Sequence, residues 1–247
     1  MTQTFDGATV AITGGATGLG AAVATLAAAR GAKVVILDIN EADGRRLAGH
    51  LGGQFHRCDV ADPAAWHRLA DAIGPVDYLH LNAGIMTVRP GESLAEARID
   101  NVSYERYRAV AGVNIDGVFL GIQTMLPRMI AQGGHAITVT SSAAGLAPIP
   151  FDPIYAMTKH AVIGLVRSMA LASADHPVRI NAFCPGGIDT RIVPLELSAN
   201  ASNMMAPAVA AEEVVQLLLT GPSGEVRLKL RAGQAGQSVP PPSFTLG

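Results

Sequence analysis

The chain has 247 residues, of which 49% are hydrophobic and 15% charged, and its formal net charge is −2. That balance excludes a disordered body, and no basic run suits a nucleic-acid partner. Aromatics make up only 4%, so the apolar mass is mainly Ala, Val, Ile and Leu, the mix of buried parallel strands under tightly packed helices.

Short apolar runs alternate with helical patterns along the chain. The spacing predicts strands at Ala8–Thr13, Lys33–Asp38, Gln54–Asp59, Tyr78–Asn82, His135–Thr140, Arg179–Phe183 and Glu225–Leu230. Helices are predicted at Leu19–Arg30, Glu41–Leu51, Pro63–Ile73, Tyr104–Ala131, Ile154–Ala174 and Ala211–Thr220. Strand–helix alternation implies right-handed crossovers. The expected fold class is α/β: a single doubly wound Rossmann-type domain over residues 1–231, with a seven-stranded parallel sheet and helices on both faces. Ile85–Ser103 and Pro185–Pro207 are too long for plain connections and read as lids or binding loops. The Pro/Gly-rich tail, 232–247, reads as draped on the surface or disordered.

Charged residues interrupt every apolar stretch, so no membrane span is expected. Met1–Val10 has neither the basic nor the apolar region of a secretory signal. Cys58 and Cys184 form no disulfide framework; the expectation is a reduced cytoplasm, with both thiols as buried fillers. His56, His67, His80 and His160 show no paired ligand spacing, so no metal site is expected. Arg89 and Arg191 fall on the two long loops and read as solvated cations that could receive an acidic group.

The segment Val10–Gly20 reads VAITGGATGLG. A buried strand runs into Gly14, Gly15, Gly18 and Gly20, and a small-residue helix follows. Glycines here let the backbone approach a pyrophosphate, which meets the free N–H groups of the helix end. Glycine-rich turns also occur without a ligand, but Asp38 closes the next strand, where a carboxylate can hold both ribose hydroxyls of an adenosine and repel a 2′-phosphate. No basic residue lies within Gly14–Gly20 or at Ile39 and Asn40, which favours NAD over NADP. Further on, Tyr155 and Lys159 are four residues apart on one predicted helix and share a face. An ammonium there favours tyrosinate over tyrosine and would tune the phenol for proton transfer. Ser142, after the strand AITVT, could bond the same substrate oxygen.

Together these residues resemble the short-chain dehydrogenase/reductase family, in its subgroup of about 250 residues, over about residues 5–230. Thr13-Gly14-x-x-x-Gly18-x-Gly20 resembles the cofactor loop, and Asp59-Val60 the adenine contact. Asn82-Ala83-Gly84 resembles the segment supporting the central sheet, and Pro185-Gly186-Gly187-Ile188-x-Thr190 the nicotinamide-side loop. The resemblance implies cofactor contacts at Gly14, Thr17, Gly18, Leu19, Gly20, Asp38, Ile39, Asp59, Val60, Asn82, Ala83, Gly84, Pro185, Gly186, Ile188 and Thr190. It implies Tyr155 as general acid/base and Lys159 as the group that lowers its pKa and holds the nicotinamide ribose. Ser142 would orient the substrate oxygen, and Asn114 would fix a relay water. Val162 disfavours the wider Tyr–Lys spacing of the enoyl reductases.

Two departures stand out: Leu81 replaces a second Asn, and the final strand GEVRLKL carries Arg227 and Lys229 before a Pro-rich tail. The charged face puts the family's usual edge contact between subunits in doubt. The implied activity is NAD-dependent interconversion of a secondary alcohol and a ketone, with a small-molecule substrate and no nucleic-acid or membrane partner. A dinucleotide-sensing regulator of the same fold is the alternative. A homodimer or homotetramer is expected, seeded by Ile154, Met157, Ala161, Leu165, Ser168 and Met169. An apolar pocket is expected between Ile192–Pro207, with Leu195, Leu197, Met204 and Met205, and a wall of Ala143, Leu146, Ile149 and Phe151.

Overall fold

Seven parallel strands and one short antiparallel strand form the sheet of the computed structural model, which describes residues 4–194, 196 and 204–243. The strands are β1 (Thr9–Thr13), β2 (Lys33–Asp38), β3 (Gln54–Arg57), β4 (Tyr78–Leu81), β5 (Ala136–Thr140), β6 (Arg179–Pro185), β7 (Val226–Lys229) and β8 (Gln237–Ser238), in the order β3-β2-β1-β4-β5-β6-β7-β8. The chain winds outward from β1 to β3, then returns to place β4 on the other side of β1. That reversal opens a crevice at the carboxyl ends of β1 and β4, the place where doubly wound sheets bind ligands.

Helices α1 (Gly18–Ala29), α2 (Glu41–Leu51), α3 (Pro63–Ala72), α4 (Tyr104–Ala111), α5 (Gly117–Gln132), α6 (Pro153–Ala172) and α7 (Pro207–Thr220) cover the sheet. Trp66, Val118, Met125, Val162 and Val166 pack one face against Leu79 and Ile137. Val23, Val214 and Leu217 pack the other against Ile12 and Ile36. Central strands are wholly buried, which is why they read as unbroken apolar runs.

The predicted helix Tyr104–Ala131 is a single helical run divided by a wide π-turn at Gly112–Asp116. By length and composition the run Tyr104–Gln132 could cross a membrane, with a mean hydropathy of 1.4 in its most apolar window, but half of that window is buried inside the molecule. A Cβ at Gly121 would lie only 2.6 Å from Leu81 and 2.9 Å from Trp66, so the helix lies hard against α3 and the sheet. Helix α7 begins at Pro207, a turn before the predicted Ala211, because proline suits the first helical position.

The eighth strand departs from the predicted seven. Arg227 and Lys229 do not form a solvated face. The Lys229 ammonium donates to Glu213 (2.9 Å) and to the Gln234 carbonyl (2.8 Å), and Arg227 pairs with Glu225 (2.8 Å). Gly236 N–H donates to Glu213, β8 lies along β7, and Arg167 holds the carbonyls of Val239 and Pro240 at 3.0 Å each. The tail is therefore docked as far as it is described. Alternation marked these two side chains as outward, but their true partners lie 14 and 16 positions away on α7. On α6 the predicted stripe divides: Met157, Ala161 and Ser168 are exposed, Leu165 and Met169 lean on the core, and Ile154 is buried.

Candidate active site

The glycine loop begins where β1 ends. Gly14 adopts φ +61°, and a Cβ there would meet Ala83 Cα at 2.9 Å; one on Gly20 would collide with the Gly14 carbonyl oxygen. Only glycine fits this close approach. The first turn of α1 holds no acidic side chain, and Thr17 offers its N–H groups no side-chain acceptor. Those donors and the positive end of the helix face the crevice. Asp38 stands at the end of β2: Oδ2 accepts from Ala16 N (3.0 Å) and Oδ1 from Asn40 N (2.9 Å). Asn82 ties the loop to the sheet, donating to the carbonyls of Thr13 and Gly14 at 3.2 Å and accepting from Thr140 Oγ1 at 3.1 Å.

The wide turn carries Asn114 to the buried side. Its Oδ1 accepts from Ile85 N (2.9 Å), and its Nδ2 donates to Ile85 O (2.9 Å) and Thr158 Oγ1 (3.0 Å). A π-turn inside an α-helix is a frequent mark of a functional position. On α6, Lys159 is 3% exposed and donates to the Thr140 carbonyl at 2.9 Å. Its Nζ lies 5.5 Å from the centroid of the Tyr155 ring. Ser142 follows β5, and its hydroxyl accepts from Ala144 N at 3.1 Å.

Burial pushes the Lys159 ammonium down to about 8, because a charge held away from water is disfavoured. Burial also pushes the Tyr155 phenol up to about 12, opposed by the Ser142 hydroxyl and reinforced by the charge of Asp152. The sequence reading expected Tyr155 to be tuned downward by Lys159. In the protein alone desolvation wins, since the ammonium lies over the ring and is spent on the Thr140 carbonyl. Cys184, behind this pair, is wholly buried and pushed up to about 11, so it is a packed thiol.

One cleft of about 520 Å³ gathers these groups. Ser142, Tyr155, Lys159 and every expected cofactor position except Gly20 line it. Gly20 backs the loop from behind, and Asn114 is buried beneath, reaching the cleft only through Ile85. Ala143, Ile149, Phe151 and Met204 line the substrate half, whereas Leu146 packs into the core and Met205 is fully buried. Leu195 and Leu197 lie outside the described residues. Sequence reasoning missed Ile85, Met86, Ile192 and Val193, which join the apolar wall. It also missed Arg191 reaching Asp43 at 3.6 Å, where α2 begins. Among the described residues no group of His, Cys, Asp and Glu could hold a metal ion.

Comparison with known proteins agrees with this architecture. The family model described as short chain dehydrogenase matches residues 8–200. The chain belongs to the short-chain dehydrogenase/reductase family. A 2,5-dichloro-2,5-cyclohexadiene-1,4-diol dehydrogenase of Sphingobium indicum is 35% identical over 204 residues, covering 80% of this chain and 79% of that one. A D-threitol dehydrogenase of Mycolicibacterium smegmatis is 32% identical, covering 76% of this chain and 73% of its own. In structure, a 3-ketoacyl-(acyl-carrier-protein) reductase from Brucella melitensis, solved in complex with NADH, matches with a TM-score of 0.81 at 26% identity, over 91% of this chain and 96% of that one. The short-chain dehydrogenase/reductase fold, with its nicotinamide dinucleotide cofactor, and oxidoreductase activity follow for this chain.

The residues present fit that cofactor. The α1 end is open and free of acid, the glycine loop has no room for side chains, and Asp38 stands at the adenosine end.

Proposed function

We propose that this member uses NAD(H) to interconvert a secondary alcohol and a ketone, with Tyr155 moving the proton. The observation that carries the reading is the convergence of Ser142, Tyr155 and Lys159 on the same cleft as the open α1 end and Asp38. The bound cofactor would accept or deliver hydride. Ser142 and Tyr155 would hold the substrate oxygen, and Tyr155 would exchange its proton. Lys159 would favour the phenolate whenever its ammonium is charged. Asn114 would hold a water behind Lys159.

Asp38 supports NAD over NADP by like-charge repulsion. Arg191 lies near the same end, but the carboxylate of Asp43 is already its partner. The substrate half is walled by Met86, Ala143, Ile149, Phe151, Ile192 and Met204, which favours a neutral, mainly hydrocarbon substrate. The relatives named as diol and threitol dehydrogenases support chemistry at a hydroxyl-bearing carbon. A regulator that only senses the dinucleotide needs the glycine loop alone; burying an ammonium at Lys159 costs stability, and turnover gives that cost a purpose. The exposed apolar side chains Phe119 and Met157, on α5 and α6, support a homodimer through these helices, which light scattering would test.

The deciding experiment follows NADH fluorescence while the protein meets a panel of secondary alcohols and ketones. Turnover of neutral members is expected. No turnover across the panel, with NADH still bound, would favour the sensor, and preference for a strongly anionic substrate would overturn the apolar pocket.

A further inference from the structure

The helix that carries Tyr155 begins on a buried carboxylate. Asp152 has no exposed surface. Its Oδ1 accepts from Tyr155 N (2.9 Å) and Thr87 Oγ1 (2.7 Å), and its Oδ2 accepts from Thr87 N (2.9 Å). All three donors are neutral, and among the described residues no cation forms an ion pair with it. A helix cap needs no such charge: Ser103 caps α4 with a hydroxyl. Burying an unpaired carboxylate is costly, so both the charge and its reach to Thr87 call for another explanation.

Thr87 supplies it. The residue is 1% exposed and lies in the loop after β4. Two positions earlier, Ile85 is clamped at both N and O by Asn114. The Thr87 carbonyl is held by Arg106, itself paired with Glu92 at 2.6 Å. Met86, a wall of the cleft, is therefore strung between a clamp on Asn114 and a clamp on Asp152. Asp152 in turn bonds the backbone of Tyr155.

We propose that Asp152 is a positioning residue that sets the Met86 wall against the Tyr155 hydroxyl and holds a negative charge beside the first turn of α6. The proposal rests on Tyr155 as the proton-transfer group. Its geometric half fixes the space left for the substrate. Its electrostatic half opposes Lys159. The groups facing the phenol are Lys159 and Asp152 on α6, Ser142 after β5 and Cys184 on β6. Lys159 favours the phenolate; Asp152 disfavours it and keeps the phenol protonated to higher pH.

Three variants of the full chain, with Tyr155→Phe as reference, test the proposal by alcohol oxidation with NAD. Thr87→Val keeps the charge and the helix cap but loses one bond to the loop; KM should rise about fivefold with kcat within about twofold. Asp152→Asn keeps the volume and removes the charge; the rise of kcat with pH should move down by about half a unit or more. Asp152→Ser caps the helix as Ser103 does, should show both effects, and replaces Asp152→Asn if that variant fails to fold. An unchanged KM in Thr87→Val, or a pH profile in the Asp152 variants that overlays the parent, overturns the proposal. If Tyr155→Phe keeps its rate, the reading of Tyr155 has failed instead, whatever the Asp152 variants do.

Discussion

Two helix beginnings face each other across the cleft, and they are finished in opposite ways. Helix α1 starts at Thr17 with no side-chain acceptor and no acid in its first turn. Helix α6 starts at Asp152, whose carboxylate takes the Tyr155 N–H and anchors a neighbouring loop. An open end leaves donors for a ligand that arrives from solution; a closed end spends them on fixing its own residues. The two halves of the site thus follow one rule. Where the ligand supplies the charge, the helix is left unfinished, and where the protein must hold a reacting side chain, it is sealed.

The largest effect should come from the sealed end. Tyr155→Phe should lower kcat by about a thousandfold, while NADH affinity stays within about twofold, since general acid/base groups contribute roughly 10²–10⁴; stopped-flow and fluorescence titration separate the two. Closing the open end is the converse test. Thr17→Asp should cap α1, raise thermal stability by about 1 kcal/mol and weaken NADH binding by roughly a hundredfold, because a carboxylate takes the place of the pyrophosphate. If binding survives, the open end is not the phosphate site.

Lys159→Met separates stability from activity. The fall of its pKa from 10.5 to about 8 is worth roughly 3 kcal/mol at ~1.4 kcal/mol per unit. Below about pH 8 the folded protein carries the buried charge at a cost, and that cost fades as pH rises towards 10.5. The variant should therefore be more stable than the parent by up to about 3 kcal/mol at pH 7, with the gain gone above pH 10.5 and turnover lost throughout. Denaturant midpoints across pH would show this. Asp38→Ala should narrow the preference for NAD over NADP by about tenfold, through lost ribose bonds and lost repulsion together. Arg191→Ala should do least, with folding stability within about 0.5 kcal/mol, because the pair with Asp43 is solvated.

The open end was legible in the sequence, and the closed end only in part. Gly14, Gly18 and Gly20 act through the backbone within one turn, so their spacing carries the geometry, and Asp38 follows from where a strand must stop. Tyr155 and Lys159 share a helix face, which a four-residue interval reveals. The bonds of Asp152 to Thr87 span 65 positions, and local spacing carries no trace of them. The same holds for Arg191 with Asp43, and for Glu213 drawing Lys229 and Gly236 together to dock β8. The direction of the Tyr155 shift was misread for a related reason: proximity along a helix is written in the residues, but desolvation depends on everything packed around them.

The wide turn at Gly112–Asp116 has a consequence for what length the chain tolerates. It is in effect one surplus residue absorbed by a helix, so the residues on either side are out of phase by about 100°. Deleting any one residue of the turn would leave a regular helix and swing everything after it around the axis. Gly121 would leave Trp66 and Leu81, and Phe119 would exchange its exposed place for one facing the core. Substitutions on the outer face of this helix are cheap, whereas a single in-frame codon loss would turn the whole of α5 inside out.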